Sequence, residues 1–296
     1  MTPPPSTNRA GGRPWSRRAF VLSLLGMPAG LRSPQHVGTR TDVTSHPSPR
    51  TVGLNPRNPR LTARPRRPFR PAKPGQTRIG EHLERGGYVF VPQSYREDTP
   101  APLIVALHGG GGHAGRWSDL HESCERAGVI LAAPDSRART WDRVAGGFGP
   151  DVAFIDALLR YTFERCAIDP TRIALAGFSD GASYTLSLGP SNGDLFTHLM
   201  AWSPGFSDPE EPIVGQPRVL VSHGSEDRVL PVRLTRSGLV PMFEMDGYDV
   251  TYLEFTGRHE LTDEIVRQSF DWFLDMQASP SRRQASPTAS SISPRT

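Results

Sequence analysis

Between residues 86 and 277, short apolar runs alternate with longer stretches whose apolar positions recur every three or four residues. The runs at 88–91, 103–107, 129–133, 172–176, 198–202, 218–222 and 250–255 read as strands, since each is brief and mostly apolar. The stretches at 117–127, 151–165, 182–188 and 261–276 read as helices. A further helix is predicted at 232–245, broken near Pro241. Asp151 is the expected N-cap of the second helix, with Val152, Ile155, Leu158, Leu159 and Phe163 on one face. Strands that are apolar at nearly every position are buried on both faces. Alternating with helices, they predict an α/β domain with a mostly parallel central sheet covered on both sides. No insertion is long enough for a separate lid domain. In such sheets the chemistry lies beyond the carboxyl ends of the strands.

Charge divides the chain of 296 residues more sharply than length does. Residues 1–78 carry 15 basic residues and one acid, Asp42, whereas residues 79–278 carry 16 arginines and 29 acids. The net charge of +4 therefore describes the leader, and the acidic body does not read as a nucleic-acid binder. From about residue 32 the leader is rich in Pro, Arg, Ser and Thr without an apolar period, so 32–78 is expected to be a disordered linker. The tail, 278–296, reads the same way, which leaves 79–277 for one folded domain.

Within residues 1–31, Ser16-Arg17-Arg18-Ala19-Phe20-Val21-Leu22 precedes an apolar run too short to span a membrane. The paired arginines resemble a twin-arginine export signal. The pattern predicts export to the periplasm or beyond, with a cytoplasmic location as the alternative. Cys124 and Cys166 form no metal spacing; two buried thiols are expected, and a disulfide is the alternative. No His-Glu-x-x-His, no Cys-x-x-Cys and no phosphate loop with its lysine is present, the one lysine, Lys73, lying in the leader, so no metal and no cofactor are expected.

The run at 172–176 leads into Gly177-Phe178-Ser179-Asp180-Gly181 and then directly into a helix. This is the G-x-S-x-G nucleophile elbow in its required context of strand, sharp turn and helix. A serine hydroxyl needs a base to take its proton, and the base needs an acid to orient it. Downstream, one strand ends in His223-Gly224-Ser225-Glu226-Asp227 and the next in Thr256-Gly257-Arg258-His259. The order Ser179, Asp227, His259 is the order this kind of site uses. Glu226 is an alternative acid. His223 is expected to brace its loop and His108 to organise the glycine-rich one.

The run at 103–107 opens into His108-Gly109-Gly110-Gly111-Gly112. Its glycines let backbone N–H groups approach a substrate, so Gly110 and Asp180 are the expected oxyanion donors. Gly110-x-Gly112-x-x-Gly115 also fits a dinucleotide fingerprint, with Asp135 placed to hold a ribose. Trp141, Phe148 and Phe206 are expected either to line a pocket or to cover the sheet edge.

These motifs, with Cys166-x-x-Asp169-Pro170-x-Arg172 before the elbow, resemble the phospholipase/carboxylesterase branch of the α/β hydrolases and the related poly(hydroxyalkanoate)-depolymerase and feruloyl-esterase-like proteins. The resemblance spans about residues 86–277. It implies the α/β-hydrolase fold and hydrolysis of small or short-chain carboxylic esters through an acyl-enzyme. It also implies Ser179, Asp227 and His259 as a triad. The alternatives are a serine peptidase on the same triad, a nucleotide-binding oxidoreductase and a non-catalytic binding protein.

Overall fold

The computed structural model describes residues 58–80 and 83–275. The expected export signal, the first part of the linker and the tail from 278 lie outside those residues.

Eight strands form one sheet: β1 (Gly75–Ile79), β2 (Gly87–Val91), β3 (Ala101–Leu107), β4 (Ile130–Pro134), β5 (Ile168–Phe178), β6 (His198–Trp202), β7 (Arg218–Gly224) and β8 (Val250–Phe255). Their order is β1-β2-β4-β3-β5-β6-β7-β8. The β1–β2 and β2–β4 pairs are antiparallel. Every neighbouring pair among β3 to β8 is parallel. All of these strands after β3 therefore point their carboxyl ends to one edge, as does β3 itself.

Alternation along each strand divides the core into two layers. Leu103, Val105 and Leu107 belong to one layer, with Ile173, Leu175, Leu199 and Val219. Ile104 and Ala106 belong to the other, with Ala174, Met200, Trp202 and Leu220. Helices α3 (Pro150–Arg165), α4 (Asp180–Leu188) and α5 (Val240–Met245) supply residues to the first layer. Helices α1 (His121–Ala127) and α6 (Asp263–Phe273) supply the second. A short helix, α2, by its position in the chain the one between α1 and α3, spans Asp142–Ala145. Cys124 and Cys166 are buried free thiols in opposite layers, so the sheet itself keeps them apart.

Several elements depart from their expected form. The 117–127 helix is a 3-10 segment, Ala114–Leu120, followed by α1. Pro241 does not break a helix. A π-type segment, Thr235–Leu239, runs directly into α5 ahead of it, so the helical run continues past the proline through a locally widened turn. Asp151 is not an N-cap: Gly149 holds that position, Pro150 starts α3, and the Asp151 carboxylate serves a different contact described below.

The linker boundary also moves. Residues 58–78 were expected to be disordered, yet Leu61 and Ala63 are buried in the first layer and Gly75–Ile79 forms β1. The buried Asp156 carboxylate of α3 accepts the N–H groups of Thr62 (2.6 Å) and Ala63 (2.7 Å) and the Thr62 hydroxyl (2.7 Å). Asn192 accepts from Leu61 N–H at 2.8 Å and donates to Pro59 O at 2.8 Å. Arg60 and Arg64 both reach Asp194. An extended segment without apolar period is thus ordered by side chains that are remote in sequence and satisfy its backbone.

Candidate active site

The site is built at the carboxyl edge of the sheet. β5 ends at Phe178, and Ser179 turns sharply into α4 with φ 57° and ψ −117°. A non-glycine residue in that region is strained, and the surroundings must hold it there. Ser179 N–H donates to Trp202 O at 2.9 Å, which fixes the turn to β6. The flanking glycines are required by close approach. A Cβ at Gly177 would run into the Gly181 backbone, and a Cβ at Gly181 into the Leu107 carbonyl.

Asp227 follows β7 and His259 follows β8. His259 Nδ1 lies 2.6 Å from Asp227 Oδ2, and its Nε2 lies 2.8 Å from Ser179 Oγ. A carboxylate only accepts, so Nδ1 carries the proton and Nε2 is left to accept from the serine hydroxyl. Asp227 Oδ1 accepts the N–H groups of Val229 and Leu230, each at 2.8 Å. Burial alone would raise the Asp227 pKa, but the His259 hydrogen bond and these two N–H groups outweigh it and hold the carboxyl below its usual range. Glu226, the alternative acid, is exposed. The Phe178 ring lies 4.9 Å from the imidazole of His259, centroid to centroid.

His223 is buried one turn of the loop from Asp227. Its Nε2 is 2.7 Å from Leu230 O and 3.2 Å from Asp227 Oδ2, and its Nδ1 is 2.7 Å from Thr235 Oγ1. It braces the acid's loop. His108 is also buried and is shared among backbone groups: Nε2 accepts Ser136 N–H at 3.0 Å, leaving Nδ1 to donate to Gly109 O at 2.8 Å. Burial lowers its pKa, which favours the neutral ring that this bonding requires.

The glycine-rich loop lies against the elbow. A Cβ on Gly109 would sit 3.3 Å from Ser179 Cβ. Gly111 N–H is committed to Arg139 O (2.8 Å) and Gly112 N–H to Gly109 O (3.0 Å). Among the described residues, the N–H groups of Gly110 and Asp180 have no acceptor. Asp135, the acid of the dinucleotide reading, instead accepts Ala114 N–H at 2.5 Å.

The fold bears on this directly. The chain superposes on Staphylococcus aureus FphF, a fluorophosphonate-binding serine hydrolase, with a TM-score of 0.55 at 14% identity, covering 68% of this chain and 99% of that one. It superposes on esterase PE8 with a TM-score of 0.52 at 22% identity, covering 65% and 99%. The chain has the α/β-hydrolase fold. No family model matches it. Feruloyl esterase B of Thermothelomyces thermophilus is 33% identical over 119 residues, which cover 37% of this chain and 40% of that protein. A probable feruloyl esterase C of Aspergillus flavus is 30% identical over 150 residues, covering 48% and 54%. The chain thus spans about half the length of the curated relatives it matches.

What sequence reasoning missed is the wall behind the site. Trp141 and Phe148 are fully buried around Tyr184, with ring centroids 5.2 and 5.6 Å from it. They line no open pocket, and Trp141 Nε1 donates to His108 O at 2.8 Å. Arg85 adds a second brace, from Nε to Ser136 O (2.6 Å) and from Nη2 to Gly112 O (2.7 Å). No spacing in the sequence marks Arg85, because its partners are carbonyls of two separate loops. Among the described residues no cluster of three or more His, Cys, Asp or Glu could hold a metal, and no helix is long and apolar enough to cross a membrane.

Proposed function

We propose that this protein is a serine hydrolase that cleaves carboxylic esters through an acyl-enzyme, with Ser179 as nucleophile, His259 as base and Asp227 as the orienting acid. The observation that carries the reading is the continuous relay from Asp227 through His259 to Ser179, with both links within hydrogen-bond reach. The similarity to feruloyl esterases favours ester over amide substrates.

In this reading Ser179 Oγ attacks the ester carbonyl as His259 Nε2 accepts its proton. The buried Asp227 carboxylate stabilises the imidazolium that forms. The N–H groups of Gly110 and Asp180 receive the oxyanion; a donor of this kind contributes about 2.7–4 kcal/mol of transition-state stabilisation. Gly110 is chosen over Gly111 and Gly112 because their N–H groups already have acceptors. His259 then protonates the leaving alcohol, and water repeats the sequence to free the acid. Small or short-chain esters fit a domain that has no inserted lid among its described residues. Export is part of the proposal and rests on the Ser16–Leu22 pattern.

The test is a fluorophosphonate probe on the purified protein beside Ser179→Ala, with the label located by mass spectrometry. Labelling at Ser179, absent from the variant, and hydrolysis of short-chain aryl esters are expected. A folded protein that takes no label defeats the reading.

A further inference from the structure

From Arg85 to the end of α6, the sixteen arginines fall into three groups. Nine of them meet a carboxylate within 4 Å, as expected in so acidic a body. Arg85 and Arg137 are spent on backbone carbonyls. The remaining five, Arg116, Arg139, Arg228, Arg233 and Arg258, have no side-chain partner among the described residues. All five are exposed, and all five lie in segments that leave the carboxyl ends of β3, β4, β7 and β8. These are the segments that carry the glycine-rich loop, Asp227 and His259. Acids also occur on this edge, but Asp180 is engaged by the Thr140 hydroxyl at 2.6 Å and Glu260 by Arg258 N–H at 2.8 Å; Glu226 is exposed.

Arg139 has the best-defined position of the five. Its carbonyl accepts Gly111 N–H, and its Nε lies 3.8 Å from where a Cβ on Gly111 would stand. Two residues earlier, Gly109 is packed against Ser179. Arg139 therefore borders the same short loop whose Gly109 packs on the nucleophile. The next residue, Thr140, ties the same segment to Asp180. An exposed guanidinium with no partner, carried at the rim of a site by a backbone bond to the glycine-rich loop, offers a forked pair of donors to a carboxylate.

We infer that Arg139 is a specificity residue that binds an anionic group, such as a carboxylate, carried by the ester a few bonds from the scissile carbonyl. The other four arginines supply the surrounding positive potential. This inference rests on the proposed esterase activity and adds the class of ester.

The test compares matched esters in the full chain and in Arg139→Gln. On the acyl side, 4-nitrophenyl hemiglutarate is set against 4-nitrophenyl pentanoate; on the alcohol side, 4-butyryloxybenzoate against phenyl butyrate. The expected result is that the variant lowers kcat/KM for the charged member of one pair about tenfold more than for its neutral partner, the size of one charge-assisted hydrogen bond at a partly exposed site. The pair that responds identifies the side that carries the anion. Equal effects on both members of both pairs overturn the inference. The unaltered protein gives a second reading: the charged-to-neutral ratio of the responding pair falls as salt is raised from about 50 to about 500 mM, and ratios that stay constant in both pairs overturn it too. Cleavage of the neutral esters with no Arg139 effect defeats this inference alone. Absence of all ester cleavage and of Ser179 labelling defeats the esterase reading with it.

Discussion

Asp142 and Asp151 each accept the other's backbone N–H. Asp142 N donates to Asp151 Oδ2 at 2.7 Å, and Asp151 N donates to Asp142 Oδ2 at 2.8 Å. This reciprocal clasp closes the loop that carries Phe148, directly after Trp141. It also brings two carboxyl groups together in a poorly solvated place. Burial, and then the Asp142 charge, push the Asp151 pKa up to about 6.

A titration follows from that clasp. Between the ordinary Asp range and about pH 6, the folded protein holds a proton that the unfolded chain has released. The stability this group contributes is therefore lost as pH rises through that window, by up to ~3 kcal/mol. Carboxyl-carbon NMR should show Asp151 titrating near 6. In Asp142→Asn the midpoint should fall, because the neighbouring charge is gone. A midpoint that does not move would assign the whole shift to burial.

Asp156 has the opposite sign. Burial raises its pKa, but Ala63 N–H, the Thr62 hydroxyl and N–H, and Arg160 outweigh burial and bring it below the usual range. Its stabilisation is present above the ordinary Asp pKa and lost as pH falls through the lowered one. Asp156→Asn should cost about 1.5–3 kcal/mol near neutral pH. The gap between variant and parent in thermal unfolding should close in acid. It should also make the segment around Leu61 more susceptible to proteolysis.

Gly181→Ala tests the elbow's packing. The added methyl meets the Leu107 and His108 carbonyls, which are backbone and cannot rotate away. The expected cost is about 1–3 kcal/mol. Fluorophosphonate labelling of Ser179 should fall further than stability does, since the glycine-rich loop is what must move.

Asp227→Asn keeps the size of the acid and removes its charge. The imidazole then loses the partner that fixes its tautomer, and kcat should fall by on the order of 10⁴. Glu226→Gln, on an exposed side chain, should stay within about threefold, the scale of an ordinary surface change of ~0.5 kcal/mol. Steady-state kinetics on one aryl ester compares the two directly; equal losses would reopen the choice between the acids.

His223→Ala should act through position rather than chemistry. It strips partners from Leu230 O and Thr235 Oγ1 and leaves a cavity beneath the acid's loop. A loss of about 1–3 kcal/mol in unfolding free energy is expected for the unsatisfied groups. The shape of the pH–rate profile should be retained, because the proposed base, His259, is untouched.

The parts of the site that were legible in the chain are those whose cause is local. Gly177 and Gly181 are both needed where a strand turns at once into a helix, and that need is written into five consecutive residues. The chain order of Ser179, Asp227 and His259 was legible because each follows a predicted strand. The segment at 58–78 was not legible, since its Pro and Arg content is that of a disordered chain. Its order comes from Asp156, Asn192 and Asp194, which lie about a hundred residues away. Asp151 was misread for the same reason. A polar residue at a helix start is an ordinary N-cap signal, and nothing nearby shows that its carboxylate is taken by Asp142 and Arg137.

The sequence by itself determined the alternating elements, the parallel sheet and the serine of the elbow with a histidine after a later strand, because hydrophobic period and tight-turn chemistry act over a few positions. The tertiary structure alone set Asp227 and not Glu226 against His259, left the Gly110 N–H free where Gly111 and Gly112 have acceptors, and buried Trp141 and Phe148 instead of opening a pocket on them. Those choices depend on which hydrogen-bond partners are already taken and which rings are already covered. Only the folded arrangement of distant strands and loops settles that.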